Sequence, residues 1–279
     1  MEINLQKDGI QLYPEVYNLD TMKKVNDELD FLMNKPSING SSGYVHLSRG
    51  YKTLQLPTIM IRSVNLLEIA IDIKLKIDDC EKYRNKNYVI TTIEIFEETN
   101  KKPLVWHTDQ REGMLRSFLY LEGGDEDSGA FTYMLGTQND TYNFHKLSKS
   151  QIEENSSNIF IAKAPIGSLL IADTNGFHSN QPRKKRRRLV MFEFQPKEST
   201  FVKSSVFISS FQLSNKVKNN LNLFDNGVDP LAFSHGADRT LGGPIRPASN
   251  KIILYSIKVK IKGFLELVYN KLVRLFLKN

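Results

Sequence analysis

The chain is poor in the residues that staple small folds or anchor chains in membranes. It has one cysteine in 279 residues, Cys80, which excludes an internal disulfide and any cysteine-built zinc or iron–sulfur centre. No apolar run is long enough to cross a bilayer, and no internal repeat or low-complexity tract is present. The opening MEINLQKDGI lacks the basic-then-apolar order of a secretory leader. These absences predict a cytoplasmic protein. Tryptophan is reduced to one residue, Trp106, and histidine to five.

Charge is present but uneven. The formal net charge is +7. Residues 251–279 contribute +6, and the run Arg183-Lys184-Lys185-Arg186-Arg187-Arg188 another +6, so the remaining body is mildly acidic. The run reads as a solvated loop, an import signal or a phosphate patch. No aromatics interleave with it, which argues against nucleic-acid recognition.

Hydrophobic periodicity predicts a helix over 20–34, capped by Asp20 or Thr21, with Met22, Val25, Leu29 and Leu32 on one stripe. A second helical stretch after Pro57 places Ile59, Ile61, Val64, Leu67 and Ile71 together. From about residue 87 the pattern turns to short strands: 88–96, 114–121, 130–135, 159–164, 168–173 and 189–194. Turn signals separate them and no helices alternate with them. The expected fold is mainly β with flanking helices, an antiparallel sandwich or barrel. Residues 1–215 form the expected jelly-roll domain with its N-terminal scaffold helices. Residues 216–279 form a C-terminal appendage, whose end, 262–279, has the spacing of a basic amphipathic helix. That helix fits docking on protein or peripheral contact with an anionic membrane.

The candidate chemistry lies in His107-Thr108-Asp109, read with His178. Residues two apart on a strand share a side, so His107 and Asp109 can address one ion. Two imidazoles and a carboxylate form the facial ligand set of non-haem Fe(II) oxygenases, which leaves the opposite face open for a co-substrate and O2. His178 follows the apolar strand 168–173 and the turn Thr174-Asn175-Gly176. His46, His145 and His235 lack such a context. Arg188 stands ten residues beyond His178, where a cation would hold the far carboxylate of 2-oxoglutarate. If Glu193 is the water-facing position of its strand, Arg187 faces out with it and Arg188 faces in with Val190 and Phe192. Asn180 can add a hydrogen bond to the same co-substrate.

Around these residues the chain resembles the phytanoyl-CoA dioxygenase-like branch of the Fe(II)/2-oxoglutarate oxygenases. The similar segments are Trp106–Asp109, Phe118–Leu121, Asp127–Phe131, Gly167–Asp173 leading to His178, and Arg188, within about residues 88–195. Where the family often has Pro-Gly-Ser-His, this chain has Leu135-Gly136-Thr137-Gln138. The resemblance implies a double-stranded β-helix (jelly roll) and the cofactors Fe(II), 2-oxoglutarate and O2. It implies hydroxylation of a small organic or acyl substrate, with release of succinate and CO2. A carboxylate at Asp109 favours hydroxylation over halogenation, which needs that ligand position free. Two other readings are a non-oxidative metal-dependent enzyme on the same fold, and a membrane-surface binding protein with a vestigial site.

Overall fold

The computed structural model describes residues 3–33, 45–48, 51–55, 64–98, 105–109, 113–140, 142, 144–198 and 214–224. Both sheets in it are antiparallel. The larger has seven strands in the order β1 (Ile10–Tyr13), β8 (Leu169–Asp173), β5 (Leu115–Glu122), β10 (Arg187–Pro196), β4 (Tyr88–Glu98), β3 (Tyr51–Gln55) and β2 (Val45–Ser48). The smaller has β7 (Ile159–Ala162), β6 (Phe131–Met134) and β9 (His178–Asn180). Chain-distant strands thus lie side by side, as in a rolled double-stranded β-helix: β8 pairs with β5, and β5 with β10.

Two apolar layers hold this arrangement. On one face of the large sheet, Leu119, Leu121, Leu169, Ile171, Val190 and Phe192 pack with Met22, Val25 and Leu29 of α2 (Leu19–Met33) and Leu66, Ile69, Ile73 and Ile77 of α3 (Val64–Asp79). On the other face, Tyr120, Leu170, Ala172, Leu189 and Met191 pack with Phe131 and Tyr133 of the small sheet. The central strands are therefore covered on both sides. That is why β8 reads as an apolar run, LLIA, ahead of Asp173, instead of an alternating one. Each large side chain buried this way contributes about 1.5–3 kcal/mol.

The helix expected over 20–34 is α2, but Asn18 caps it: its Oδ1 accepts the backbone N–H of Thr21 at 2.9 Å. The second expected helix begins at Val64, and Ile59 and Ile61 lie outside the described residues. Residues 214–224 pack on the main body, with Val217 of α6 (Asn215–Asn219) and Phe224 in the helix-side core. The expected amphipathic helix at 262–279 and His235 lie outside the described residues. Leu135–Gln138 serves the scaffold. Thr137 Oγ1 accepts the N–H of Phe177 and donates to Met134 O, while Gln138 Nε2 donates to Lys7 O.

Candidate metal centre

His107 and His178 are brought together by the backbone. The segment 105–109 lies beside β9, and the two histidines exchange both main-chain hydrogen bonds, at 3.0 and 2.9 Å, as a directly opposed antiparallel pair. Their rings are 4.4 Å apart between centroids. Two residues on, the N–H of Asp109 donates to Thr174 O at 2.9 Å, which sets its carboxylate on the same side as the His107 ring. One ligand atom from each of His107, Asp109 and His178 lies within 4.8 Å of the others.

The hydrogen bonds select the ligand atoms. His107 Nδ1 lies 2.7 Å from Val105 O, and His178 Nδ1 lies 3.0 Å from Gly176 O. A carbonyl only accepts, so each Nδ1 is a protonated nitrogen, and in a neutral ring Nε2 is the one that offers a lone pair. Burial pushes the His178 imidazole down to about 4, against the raising effect of Asp109, so it is neutral at physiological pH. Burial acts to raise the Asp109 carboxyl, but Arg116, then His178 and His107, hold it below the usual carboxylate range. Neutral imidazoles and an ionised carboxylate are the states in which these groups bind a divalent cation.

Other side chains complete the interior. Phe131 stacks on His178 at 5.6 Å and meets Phe118 at 5.2 Å. Phe118 and Tyr120 thus belong to the layer between the sheets. On the inner side of β10, Arg187, 2 % exposed, donates through Nη1 to Gly129 O and, at 3.4 Å, to Asn180 Oδ1. Gly129 has φ +79°, and a Cβ there would press on the Arg183 side chain.

Arg188 is buried but lies on the other face of β10. Its guanidinium turns to the helical layer, where Nη2 meets Asp30 Oδ1 at 2.7 Å and Nη1 donates to Asn26 Oδ1 at 3.1 Å. The expected parity is therefore inverted, and the reason is Glu193. That residue is buried, not water-facing; it stands opposite Arg116 in the β10–β5 register, with Arg116 Nη2 3.6 Å from its Oε2. The inward residues of β10 are thus Arg187, Leu189, Met191 and Glu193, and the helix-facing ones are Arg188, Val190 and Phe192. Asn180, His107, Asp109 and His178 gather on the inner side, and Arg188 does not.

Sequence reasoning missed Arg116 and Arg187. Arg116 Nη1 lies 2.7 Å from Asp109 Oδ2. A signal for it existed: Arg116, Phe118 and Tyr120 alternate with Leu115, Leu119 and Leu121 in a strand whose two faces both meet apolar layers.

No family model matches the chain, and no curated protein does. Solved structures do resemble it. HygX from Streptomyces hygroscopicus with nickel and 2-oxoglutarate bound aligns over 72 % of this chain and 87 % of its own at 14 % identity, with a TM-score of 0.53. EctD from S. alaskensis with bound Fe aligns over 72 % and 77 % at 12 % identity, TM-score 0.57. EctD with 2-oxoglutarate and 5-hydroxyectoine aligns over 68 % and 73 % at 13 % identity, TM-score 0.55. The core is a double-stranded β-helix. At this identity the likeness speaks for the fold.

Proposed function

We propose that this chain is an Fe(II)/2-oxoglutarate-dependent oxygenase that hydroxylates a small organic or acyl substrate. The observation that carries the proposal is that one ligand atom each from His107, Asp109 and His178 lie within 4.8 Å of one another in a double-stranded β-helix. Two solved proteins of similar fold, HygX and EctD, bind a metal ion and 2-oxoglutarate, which supports the same pair here. The donor set suits iron: nitrogen and oxygen ligands in a facial triad, with no thiolate. Iron and the keto acid supply the oxidising chemistry when bound.

The chain's own residues bind and orient. His107, Asp109 and His178 hold the ion on one side. Arg187, which reaches across from the large sheet, grips the distal carboxylate of 2-oxoglutarate, and Asn180 beside it adds a polar contact. We assign this role to Arg187 in place of Arg188, whose guanidinium is engaged by Asp30. Phe118, Phe131 and Leu189 belong to the apolar layer between the sheets, which would limit water beside a bound ion. Membership of the phytanoyl-CoA dioxygenase-like branch rests on the segments Trp106–Asp109 and Gly167–Asp173. Cytoplasmic residence belongs to the same proposal, with the stretch 262–279 either docked on protein or in peripheral contact with an anionic membrane.

Anaerobic addition of Fe(II) and then 2-oxoglutarate tests it. A weak metal-to-ligand charge-transfer band is expected in the wild type and none in His178→Ala. A wild type without the band, or a band that survives His178→Ala, overturns the assignment.

A further inference from the structure

Among the described residues, the metal ligands and the proposed keto-acid contacts leave without a role a half-buried cation on the inner side, Arg116, and the buried carboxylate that backs it, Glu193. Arg116 lies on the inner side of β5, between two acids. Its Nη1 meets Asp109 Oδ2 at 2.7 Å and its Nη2 meets Glu193 Oε2 at 3.6 Å. Glu193 is fixed in turn, since its Oε1 accepts from Gln195 Nε2 at 2.7 Å and from Thr91 Oγ1 at 3.2 Å. The other Asp109 oxygen, Oδ1, is the one that faces His107, 3.9 Å from Nε2. The two oxygens of Asp109 therefore have different partners: Oδ2 the guanidinium, Oδ1 the imidazole side.

We propose that Arg116, braced by Glu193, is a positioning residue that holds Asp109 as a one-oxygen ligand. The inference rests on the metal reading given above. Its physical content is coordination number. A free carboxylate can chelate an ion through both oxygens, and the second would fill a position that a facial triad leaves open. With Oδ2 drawn into an ion pair with Arg116, Oδ1 is the oxygen left facing His107. The remaining positions of a bound ion would then stay free for a co-substrate. Glu193 has a second effect. An unbalanced guanidinium beside the ion would repel it, and the opposed carboxylate offsets that charge. A lysine would present one point charge to two acids and could not span both as a planar fork does.

Co(II) is the probe, because it reports ligand geometry by absorption without oxygen chemistry. Wild type, Arg116→Gln, Arg116→Lys and His178→Ala are titrated with Co(II) and then with 2-oxoglutarate, with each fold checked by its melting transition. For Arg116→Gln, an altered Co(II) spectrum and an affinity for 2-oxoglutarate, or for Co(II) itself, weakened about 10- to 100-fold are expected, as for loss of a partner of a ligand. Arg116→Lys should fall between that variant and the wild type. Wild-type spectrum and affinities in Arg116→Gln overturn the proposal. If Arg116→Gln does not fold, wild-type behaviour of Arg116→Lys overturns it instead. Co(II) binding that is unchanged in His178→Ala refutes the metal site itself, a result separate from any behaviour of the Arg116 variants.

Discussion

The two faces of β10 differ in what their burial is for. Toward the helices, Val190 and Phe192 enter an apolar layer, and Arg188 at its edge is tied to Asp30 and Asn26 of α2. Toward the small sheet, Leu189 and Met191 are flanked by Arg187 at one end and Glu193 at the other. Both faces exclude water, so burial alone does not mark the chemical side. The partners do. Arg188 is matched by an acid on a scaffold helix. Arg187 donates to two acceptors of the inner side, Gly129 O and Asn180 Oδ1, which orient its guanidinium toward the small sheet. A guanidinium held that way is suited to an anion that arrives from outside.

Exchange of the two neighbours is the strongest way to break this comparison. Arg187→Ala is expected to weaken 2-oxoglutarate binding by at least about 100-fold, since two charge-assisted hydrogen bonds at about 1.5–3 kcal/mol each are lost. Arg188→Ala should leave that affinity within about threefold and cost about 1–2 kcal/mol of stability. That cost is discounted because Asp30 is half exposed and rehydrates. Calorimetric titration of the metal-loaded proteins, with urea unfolding alongside, measures both. The opposite pattern would return the keto-acid contact to Arg188 and make the inner face of β10 structural.

A second expectation sharpens the same contrast through pH. His178, on the inner side, has a folded-state value of about 4 against an ordinary 6.5, a depression caused first by burial. Between those values the unfolded chain holds the proton and the folded chain does not, so stability falls as pH falls. From pH 6.5 to 5 the loss is about 2 kcal/mol, at about 1.4 kcal/mol per unit. Asp173 opposes it: burial raises its carboxyl, despite donation from Tyr83, so its contribution is present below the ordinary carboxylate value and is lost as pH rises through the folded value. The difference between wild type and His178→Gln in urea melts at pH 6.5 and 5, with chelator present, isolates the histidine. Parallel pH profiles for the two proteins would mean the imidazole is not shielded.

These outcomes also mark what the sequence could tell. Strand periodicity located β4, β5, β8 and β10 to within a few residues, because β-branched and aromatic runs between turn signals need no tertiary partner to be recognised. The trio His107, Asp109 and His178 was legible because its spacing is set by strand geometry and ligand chemistry. The arginine was harder to place. Parity was read from Glu193 on the premise that a lone acid in an apolar strand faces water. That premise fails where a cross-strand arginine buries the acid with it, and Arg116 lies 77 positions away in the chain. Short elements fixed by tertiary pairing, such as β1 against β8 and β9 against β6, carry too few residues for any period to show.

The smallest expected effect concerns the basic run, whose appearance in the chain differs most from its setting in the fold. It lies against the acidic loop between β5 and β6. Lys184 Nζ is 3.0 Å from Asp127, Lys185 Nζ is 3.7 Å from both Asp125 and Asp127, and Arg186 Nε is 3.3 Å from Glu122. Arg183 is itself buried against Ser128 and Gly129. Cations matched in this way present little net field to a polyanion, and exposed pairs of this kind add little stability. The double variant Lys184→Gln/Lys185→Gln is therefore expected to melt within about 2 °C of the wild type. It should also leave immobilised heparin at the same salt concentration, because residues 251–279 keep their charge in both proteins. A marked drop in that salt concentration would show that the run reaches polyanions past its acidic neighbours. The loop that braces Arg187 would then be a binding surface in its own right.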